Sequence, residues 1–498
     1  MPFLVILVIL GMSIFSFPLW NDSIINEGVT RNKITPFSQI PPFLSDYNAR
    51  ELISLGNTEE ISNYTGKDIT VAVLDTGIRP DHDVFTDSGQ KNWSDRVLAF
   101  WDEEKNGLTE NPDDIYWHGT WTTSILGGNS SEYQGVAPEV NFIIMNVFEY
   151  NEENEIVSDP EIIQRAVDWL IENKKEYNIR IVSMSFGAES NDDNKEEVYE
   201  LHDMVSDLFT EDMLVVASAG NYGDEGEGTI TAPASAKAAL AVGGINEEAE
   251  IYSKSGRGPT LEGIKKPDVC APAVSIEGAS SAGSKDEYIS RSGTSASTPL
   301  VAGLAALMLE KDDNLDARQL KNVISLTSIR TTAQQQIKDN IQGWGTVNGI
   351  AALSALEDSI SVNDNFKLKF RLDQNQMVFC IPLTFTPNQY FLELRSLDTL
   401  KAEMFIFDSD PDSWGNPNLI ADTISLVSQN SKTQRLSFFT PEEHEYYLVV
   451  KILFSSGTEG SFEISLIFDN RILILYFLCG LNLMSLVFII QKIRKSKK

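Results

Sequence analysis

A series of short, apolar, β-branched runs recurs between about residues 68 and 356 and limits the folds open to this chain. The first, DITVAVLDTG (68–77), ends at glycine, as expected for a strand buried on both faces of a parallel sheet. Helical patterns lie between several runs, and in one of them Asp159 and Pro160 suit the cap and the first turn. Strands that alternate with helices predict an α/β domain with a mostly parallel sheet. The other runs are VNFIIMNVF (140–148), IRIVSMSFG (179–187), MLVVASAGN (213–221) and ALAVGGI (239–245).

The pattern changes after residue 356. From 366 to 468 the apolar segments are short, alternate with polar residues and are separated by turn-rich pieces such as DSDPDSWGNPN (408–418). Such segments are typical of antiparallel strands, and about 100 residues is the usual size of a β-sandwich. The sequence therefore predicts an all-β sandwich domain over residues 357–469.

Two uncharged apolar runs lie outside these regions. Residues 1–20 are predicted to be a signal peptide or an N-terminal anchor rather than a buried core helix. Residues 472–490 also lack charge, are long enough to span a bilayer, and lead into a tail with five basic residues and no acid. Because cytoplasmic flanks carry an excess of Lys and Arg, we predict a transmembrane helix over 471–490 and a cytoplasmic tail over 491–498.

This topology places the body of the chain outside the cell. The protein would be a single-span membrane protein, or a two-span protein if the N-terminal run is not cleaved. Four potential glycosylation sites fit an external body, although such triplets also arise by chance. They begin at Asn21, Asn63, Asn92 and Asn129.

Charge and composition exclude several classes of protein. The chain has 39 Lys and Arg against 72 Asp and Glu, a net charge of −33, which argues against nucleic acid as a partner. Three cysteines cannot build a disulfide scaffold or a Cys-rich zinc site, and Cys270 and Cys380 are expected to be free buried thiols. Of the four histidines, His82 is interpreted as structural and His202 as solvated, and His444 falls in the β domain.

Three motifs contain candidate catalytic residues, and each motif taken alone also has a purely structural explanation. VAVLDTG places Asp75 at the carboxyl end of a parallel strand, where open α/β sheets bind ligands, although strand ends often carry an ordinary Asp. HGTWTTSILGG places His118 at the start of a short helix, where a lone His is more often structural. SGTSASTPLVAGLAALML places Ser295 at the start of an apolar helix, where small residues also serve close packing.

The three motifs together, in the order Asp, His, Ser, give a much more specific signal. The chain resembles the subtilisin-like serine proteases (subtilases, peptidase family S8) over about residues 45–356. The resemblance implies a doubly wound, mostly parallel sheet with helices on both faces over 67–356. Residues 21–66 would form an N-terminal extension that includes the arm of this catalytic domain.

The resemblance also implies a role for each site residue. Ser295 would be the nucleophile, His118 the general base and acid, and Asp75 the group that orients the imidazole. Asn221, at the end of VVASAGN, matches the family's side-chain donor to the oxyanion. The peptide-binding residues would be Ser185, Phe186, Gly187, Ala219 and Gly220, which add the substrate as a strand. Segments 232–235 and 256–276 resemble those that support the pocket.

The chain departs from the family pattern around the proposed base. Trp117 stands where Gly is common, and Trp121-Thr122-Thr123-Ser124 replaces the usual His-Val-Ala-Gly. Val84 occupies a position where many members place a calcium-binding Asp, so structural calcium stays unassigned, and the family needs no cofactor for catalysis. None of these changes removes a catalytic group.

Three functions are therefore open. The leading one is a serine endopeptidase that acts on extracellular or cell-surface proteins or peptides. The others are a catalytically silent surface protein that keeps the fold, and an exopeptidase or dedicated processing protease. The acidic segment 149–157 is either a solvated loop or a surface that favours basic residues upstream of the cleaved bond. The sequence does not indicate an oligomeric state.

Overall fold

The computed structural model describes most of the chain between residues 47 and 468. The predicted N-terminal run (1–20), the predicted transmembrane helix (471–490) and the tail (491–498) lie outside the described residues. Among the residues that are described, no helix is both long enough and apolar enough to cross a membrane. The described ranges are 47–55, 63–85, 95–103, 107–190, 194–329, 337–362, 366–372, 378–396, 400–422, 433–455 and 460–468.

The first region contains fourteen strands among the described residues, and most of them are short. Each of the five apolar runs found in the sequence contains one of the buried strands. In chain order the strands are β1 (Tyr47–Asn48), β2 (Thr70–Asp75), β3 (Val97–Asp102), β4 (Gly107–Leu108), β5 (Tyr133–Gln134), β6 (Asn141–Asn146), β7 (Glu149–Tyr150), β8 (Ile156–Val157), β9 (Ile179–Met184), β10 (Leu214–Ser218), β11 (Leu240–Ile245), β12 (Val269–Pro272), β13 (Ile276–Ala279) and β14 (Tyr288–Arg291).

Eight of these strands form one sheet in the order β12-β11-β10-β9-β2-β6-β3-β4. All neighbours are parallel except β3 and β4. The strand β2 lies between β6 and β9, so the chain crosses from one side of β2 to the other between these two strands. Crevices that bind ligands form at the carboxyl ends of strands where the winding changes side, and Asp75 is the last residue of β2.

Seven α-helices accompany the described strands. The third begins as the sequence predicted, because the Asp159 side chain accepts a hydrogen bond from Glu161 N–H and Pro160 occupies the first turn. The fifth helix is small or apolar on every side and is almost wholly buried, as expected of a helix in the centre of a domain. The helices are α1 (Ala49–Leu52), α2 (His118–Gly127), α3 (Pro160–Tyr177), α4 (Lys195–Thr210), α5 (Thr294–Lys311), α6 (Ala317–Leu326) and α7 (Gly349–Ser354).

The hairpin of β13 and β14 leaves the sheet and lies across helix α2. The indole N–H of Trp121 in α2 donates to the carbonyl of Ile276 at 3.2 Å. The Arg79 guanidinium donates to three carbonyls at the far end of the hairpin, those of Ser281, Gly283 and Ser284. These bonds connect the loop that follows β2 to the segment that leads into α5.

Residues 360–468 contain nine further described strands in two sheets. The orders are β15-β17-β22-β19-β20 and β16-β23-β18-β21. Buried side chains from both sheets, including Leu448 and Ile406 from one and Leu392 and Phe438 from the other, form one apolar core. The strands are β15 (Ile360–Val362), β16 (Phe366–Leu372), β17 (Val378–Phe385), β18 (Asn388–Ser396), β19 (Leu400–Asp408), β20 (Leu419–Asp422), β21 (Thr433–Thr440), β22 (His444–Ser455) and β23 (Gly460–Phe468).

The outer face of the first of these sheets packs against the α/β region. Its Val378, Cys380 and Tyr447 belong to the same buried cluster as the helices of that region. The rings of Trp344 and Phe407 meet edge to face with centroids 6.0 Å apart. The buried Lys451 ammonium donates to the carbonyl of Ser328 at 2.6 Å. The contact between the two regions is therefore a packed, mainly apolar surface that contains one buried hydrogen bond from a lysine.

Two cysteines and two histidines to which the sequence assigns environments lie among the described residues. Cys270 and Cys380 are free and buried, as expected. His82 is buried, accepts from Val84 N–H and contacts the carbonyl of Glu287, which fits its structural interpretation. The prediction that His202 is solvated was wrong, because its ring is half-buried on α4 and lies 2.7 Å from the Ser235 hydroxyl.

Candidate active site

The last residue of β2 meets the first residue of α2. His118 Nδ1 lies 2.8 Å from Oδ1 and 3.0 Å from Oδ2 of Asp75, whose side chain is buried. The Asp75 carboxylate also accepts from the Thr122 hydroxyl at 3.1 Å and from Thr76 N–H at 2.8 Å. These bonds fix the carboxylate, which in turn fixes the tautomer of the imidazole with its proton on Nδ1.

The electrostatics of this pair favour a charged imidazole. Burial lowers the pKa of His118, but the charge and hydrogen bond of Asp75 and the charge of Asp114 outweigh it, so the pKa is raised above its usual value. A base with a raised pKa accepts a proton readily and is stabilised once it carries the proton. The arrangement therefore suits a general base whose conjugate acid is held by a buried carboxylate.

A second carboxylate, which the sequence analysis did not single out, supports the start of α2. Asp114 accepts from the backbone and hydroxyl of Thr120 and, at 2.7 Å, from the hydroxyl of Thr76. The Thr76 hydroxyl in turn accepts from Gly119 N–H at 2.9 Å. Burial raises the pKa of Asp114, against these hydrogen bonds. Its spacing of four residues before His118, just ahead of a helix, is the signal that could have revealed it.

Ser295 is the second residue of helix α5, at its positive end. Its hydroxyl donates to the carbonyl of Ser185 at 2.9 Å, and the hydroxyl of Ser185 donates to the carbonyl of Ser295 at 3.1 Å. Within the described residues no hydrogen bond joins Ser295 Oγ to the imidazole of His118. The structure thus connects Ser295 to the predicted peptide-binding residue Ser185, and connects His118 to Asp75.

Asn221 lies beside the start of the same helix. Its side-chain oxygen accepts from Thr294 N–H at 2.9 Å, and Thr294 immediately precedes Ser295. The first N–H groups of a helix have no partner within the helix, so this bond both caps α5 and orients the amide. With its oxygen engaged, the amide keeps its NH2 group as a donor.

The predicted peptide-binding residues lie on two neighbouring segments. Ser185, Phe186 and Gly187 follow β9, while Ala219 and Gly220 follow β10, the adjacent parallel strand. The Ser218 hydroxyl donates to the carbonyl of Phe186 at 3.2 Å and joins the two segments.

Both glycines are required by close packing. Gly220 has φ +98°, and a Cβ there would lie 2.6 Å from Thr231 Cγ2. A Cβ on Gly187 would lie 2.3 Å from Thr231 Oγ1. The residues after Gly187 are paired with the support segment 232–235, since Ala188 and Ala232 form an antiparallel bridge.

Aromatic side chains occupy the positions where the chain departs from the family pattern. Trp117 packs on the ring of His118 at 5.5 Å and on that of Trp121 at 5.9 Å. Trp121 is fully buried, and Gly278 makes room for it, since a Cβ there would lie 2.3 Å from Trp121 Cδ1. The guanidinium of Arg291 lies over Trp117, 5.2 Å from the ring centroid.

A buried charge cluster supports the segment 256–276. Asp268 receives the ammonium of Lys266 at 2.6 Å and that of Lys338 at 2.7 Å, and accepts from Ala241 N–H at 2.9 Å. Burial lowers the pKa of Lys266 to about 8, although Asp268 opposes this shift. Burial raises the pKa of Asp268, but the charges of Lys266, Lys338 and Lys321 outweigh it and hold the pKa far below its usual value.

Potential metal ligands lie away from this site. Val84, at the position where many subtilases place a calcium ligand, is buried and offers no donor atom. Among the described residues, one group with suitable spacing consists of Asp408, Asp410 and His444, whose ligand atoms lie within 4.8 Å of one another. His444 Nε2 lies 2.6 Å from Asp408 Oδ1, which is also the geometry of an ordinary ion pair.

Comparison with known proteins agrees with this geometry. The family model "Subtilase family" (peptidase S8) matches residues 66–345, more than half of the chain. Serine protease AprX of Bacillus subtilis is 31% identical over 327 residues, 60% of this chain and 68% of that protein. The major intracellular serine protease of the same organism is 28% identical over 337 residues, 66% of this chain and 93% of that protein. Subtilisin E is 28% identical over 292 residues, 58% of this chain and 66% of that protein.

A solved structure supports the fold. The one described as "S41 Psychrophilic Protease" aligns with a TM-score of 0.51 and 20% identity, covering 61% of this chain and 98% of the other. The sheet order, the ordered Asp, His and Ser motifs and the family match agree with one another. The chain therefore belongs to the subtilase family and is a serine-type endopeptidase.

Proposed function

We propose that Ser295, His118 and Asp75 carry out peptide-bond hydrolysis in this chain. His118 Nε2 takes the Ser295 proton as the oxygen attacks the scissile carbonyl, and then delivers that proton to the leaving amine. Water, activated by the same imidazole, hydrolyses the acyl-enzyme and regenerates Ser295. The observation that carries this proposal is the 2.8 Å contact from a buried Asp75 to His118 Nδ1, which leaves Nε2 to exchange the proton.

Asn221 supplies the stabilisation of the oxyanion. Its oxygen is engaged by Thr294 N–H, so its NH2 group and the Ser295 backbone N–H converge where negative charge develops. The side chain therefore needs no reorganisation during the reaction.

The substrate is a protein or peptide in an extended conformation. Ser185, Phe186 and Gly187 offer backbone groups along one edge, and Ala219 and Gly220 follow the neighbouring strand. The end of β9 and the end of β10 thereby form the two sides of the primary pocket.

Labelling of the nucleophile tests the assignment. A fluorophosphonate probe is expected to label the purified protein and to leave Ser295→Ala unlabelled, while Ser290→Ala, which removes an exposed hydroxyl on the nearby strand β14, keeps the label. If all three proteins show the same labelling, Ser295 is not the nucleophile and a silent surface protein becomes the better account. Cleavage of internal rather than terminal bonds in a defined peptide separates the endopeptidase from an exopeptidase.

We also propose that the enzyme acts at the cell surface, with residues 357–469 as an appended β-sandwich domain and residues 471–490 as its membrane anchor. The uncharged run 472–490, the basic tail and the exposed sequon residues Asn63 and Asn129 support this location. The full chain should stay with membranes after alkaline carbonate washing, and a chain that stops at residue 470 should be released. Release of both forms would contradict the anchor.

A further inference from the structure

The pair of Arg291 and Trp117 bridges the two segments that carry the proposed catalytic groups. Trp117 immediately precedes His118, and Arg291 stands four residues before Ser295 on strand β14. The guanidinium carbon lies 5.2 Å from the centroid of the Trp117 ring, within the range of a cation–π contact. Neither residue takes part in the proton transfers proposed above, so those transfers do not explain why the pair is present beside them.

The Arg291 guanidinium is held near the Trp117 ring and can still bind another group. Arg291 is exposed, and its one long hydrogen bond, 3.4 Å, is to the carbonyl of the preceding Ser290. Across the described part of the chain, no carboxylate forms an ion pair with it. A cation–π contact occupies one side of the guanidinium and leaves its N–H groups available to bind a carboxylate bidentately.

The Trp117 ring beneath the guanidinium is held by packing against its neighbours. Trp117 packs on the rings of Tyr116, His118 and Trp121. Trp121 is buried and is held by its hydrogen bond to Ile276 on the hairpin that also carries Arg291. A stacked arginine on a fixed ring loses less conformational freedom on binding than a free one.

The position of the pair indicates which part of a substrate it meets. The acyl part of the substrate is assigned to residues 185–187 and 219–220. Trp117 and Arg291 instead contact helix α2 and the hairpin. His118 delivers its proton to the leaving amine, so the leaving chain passes His118 on the side away from the acyl part. Trp117, adjacent in sequence and packed on that imidazole, borders this path.

We propose that Arg291, held on Trp117, binds a carboxylate of the substrate on the leaving-group side of the scissile bond. The carboxylate is either an Asp or Glu side chain close after the cleaved bond or the C-terminal carboxylate of a short leaving peptide. This inference rests on the proposed function and adds a substrate class to it. The net charge of −33 repels acidic peptides in general, so a preference for them must arise from a local cation such as this one.

Matched peptides test the proposal. Internally quenched peptides would differ only in the first or second leaving-group residue, which is Glu, Gln or Lys, and a second set would end after one leaving residue as a free acid or an amide. The wild-type protein should cleave the best Glu peptide with a kcat/KM about fivefold above its Gln partner, as expected for a partly exposed charge-assisted pair. The ratio should fall towards one in Arg291→Gln and in high salt.

Control variants separate the possible outcomes. Arg291→Lys keeps the charge but loses the planar guanidinium and should give an intermediate ratio. Arg165→Gln, on helix α3 where Arg165 pairs with Glu103, should keep the wild-type ratio. An effect confined to the free-acid set assigns the terminal carboxylate, and an effect confined to internal Glu assigns the side chain.

Failure of the proposal can be told apart from failure of the proposed function. A Glu to Gln ratio near one in the wild-type protein, or a preference that survives Arg291→Gln, overturns the role of Arg291. In both cases fluorophosphonate labelling of Ser295 shows that the site itself is intact. A folded wild-type protein that neither labels nor cleaves any peptide overturns both.

Discussion

Replacing Asp268 with Asn should strongly destabilise the catalytic region. Asp268 is fully buried and accepts two ammonium groups, from Lys266 at 2.6 Å and from Lys338 at 2.7 Å. Asparagine has nearly the same shape and can keep one hydrogen bond, for example from Ala241 N–H, but it cannot balance the two positive charges. The variant therefore isolates the charge of the carboxylate from its volume.

The expected fall in melting temperature follows from the burial of the ion pair and the size of the catalytic region. Removing one partner of a buried ion pair costs about 3–5 kcal/mol, because the other charge stays desolvated. Unfolding entropy of about 2.1 cal/mol/K per residue, over the roughly 280 residues of the subtilase match, gives about 0.6 kcal/mol/K. The melting temperature should therefore fall by about 5–8 °C at pH 7.

The loss of stability caused by Asp268→Asn should also depend on pH. The pKa of Lys266 is lowered to about 8 in the folded protein from 10.5, so the attraction between Lys266 and Asp268 is present below pH 8 and fades as pH rises through that value. Because the unfolded chain binds more protons between these values, Lys266 itself favours the folded state increasingly from pH 8 towards 10.5. The difference between wild type and Asp268→Asn should accordingly narrow at pH 9.5.

Thermal melting followed by circular dichroism provides the assay. All proteins carry Ser295→Ala, so that self-cleavage does not set the apparent midpoint. Glu161→Gln serves as the control, because Glu161 is highly exposed and its contact with Arg165 is long, 3.9 Å, so its midpoint should change by less than about 2 °C. If Asp268→Asn melts within the same range as this control, the cluster does not hold its charges in the way described.

Further predictions concern the site. Asn221→Ala should lower kcat by about 10²–10³-fold with little change in KM, a range that comes from the corresponding donor of subtilisin; an unchanged kcat refutes its role. Asp75→Asn should reduce kcat/KM and move the acid limb of its pH profile to lower pH, because Asp75 raises the pKa of His118; a stationary limb contradicts this. In denaturant titrations, Gly220→Ala should lower the stability of the fold more than Gly226→Ala. Both glycines have positive φ, but only a Cβ at Gly220 would meet a neighbour, Thr231, and equal unfolding midpoints would contradict this reasoning.

The sequence predicted the elements whose signal is local. The strands β2, β6, β9, β10 and β11 are continuous apolar runs, and such runs remain legible without tertiary information. The apolar run VLAFWD of β3 carries the same local signal but was not singled out, whereas β12 is only four residues long and ends in Pro272. The hairpin of β13 and β14 is interrupted by a polar, glycine-containing connection that carries no strand pattern.

The sequence predicted which residues form the site, but not which side chains contact one another. The motifs identified Asp75, His118, Ser295 and Asn221 by their order and neighbours. The bond from Thr120 to Asp114 is local, whereas the bond from Thr76 spans 38 positions and forms only in the folded chain. Similarly, no local pattern indicates that Arg291 stacks on a tryptophan 174 positions earlier in the chain. Cation–π and side-chain-to-backbone contacts of this kind depend on topology.

The paired hydrogen bonds between Ser295 and Ser185 have a kinetic consequence. The carbonyl of Ser185 that accepts from the Ser295 hydroxyl at 2.9 Å lies on the segment assigned to an incoming peptide strand. A peptide N–H that pairs with this oxygen displaces the hydroxyl, which is then free to rotate towards its base. We therefore expect substrate docking and release of the nucleophile to be one event.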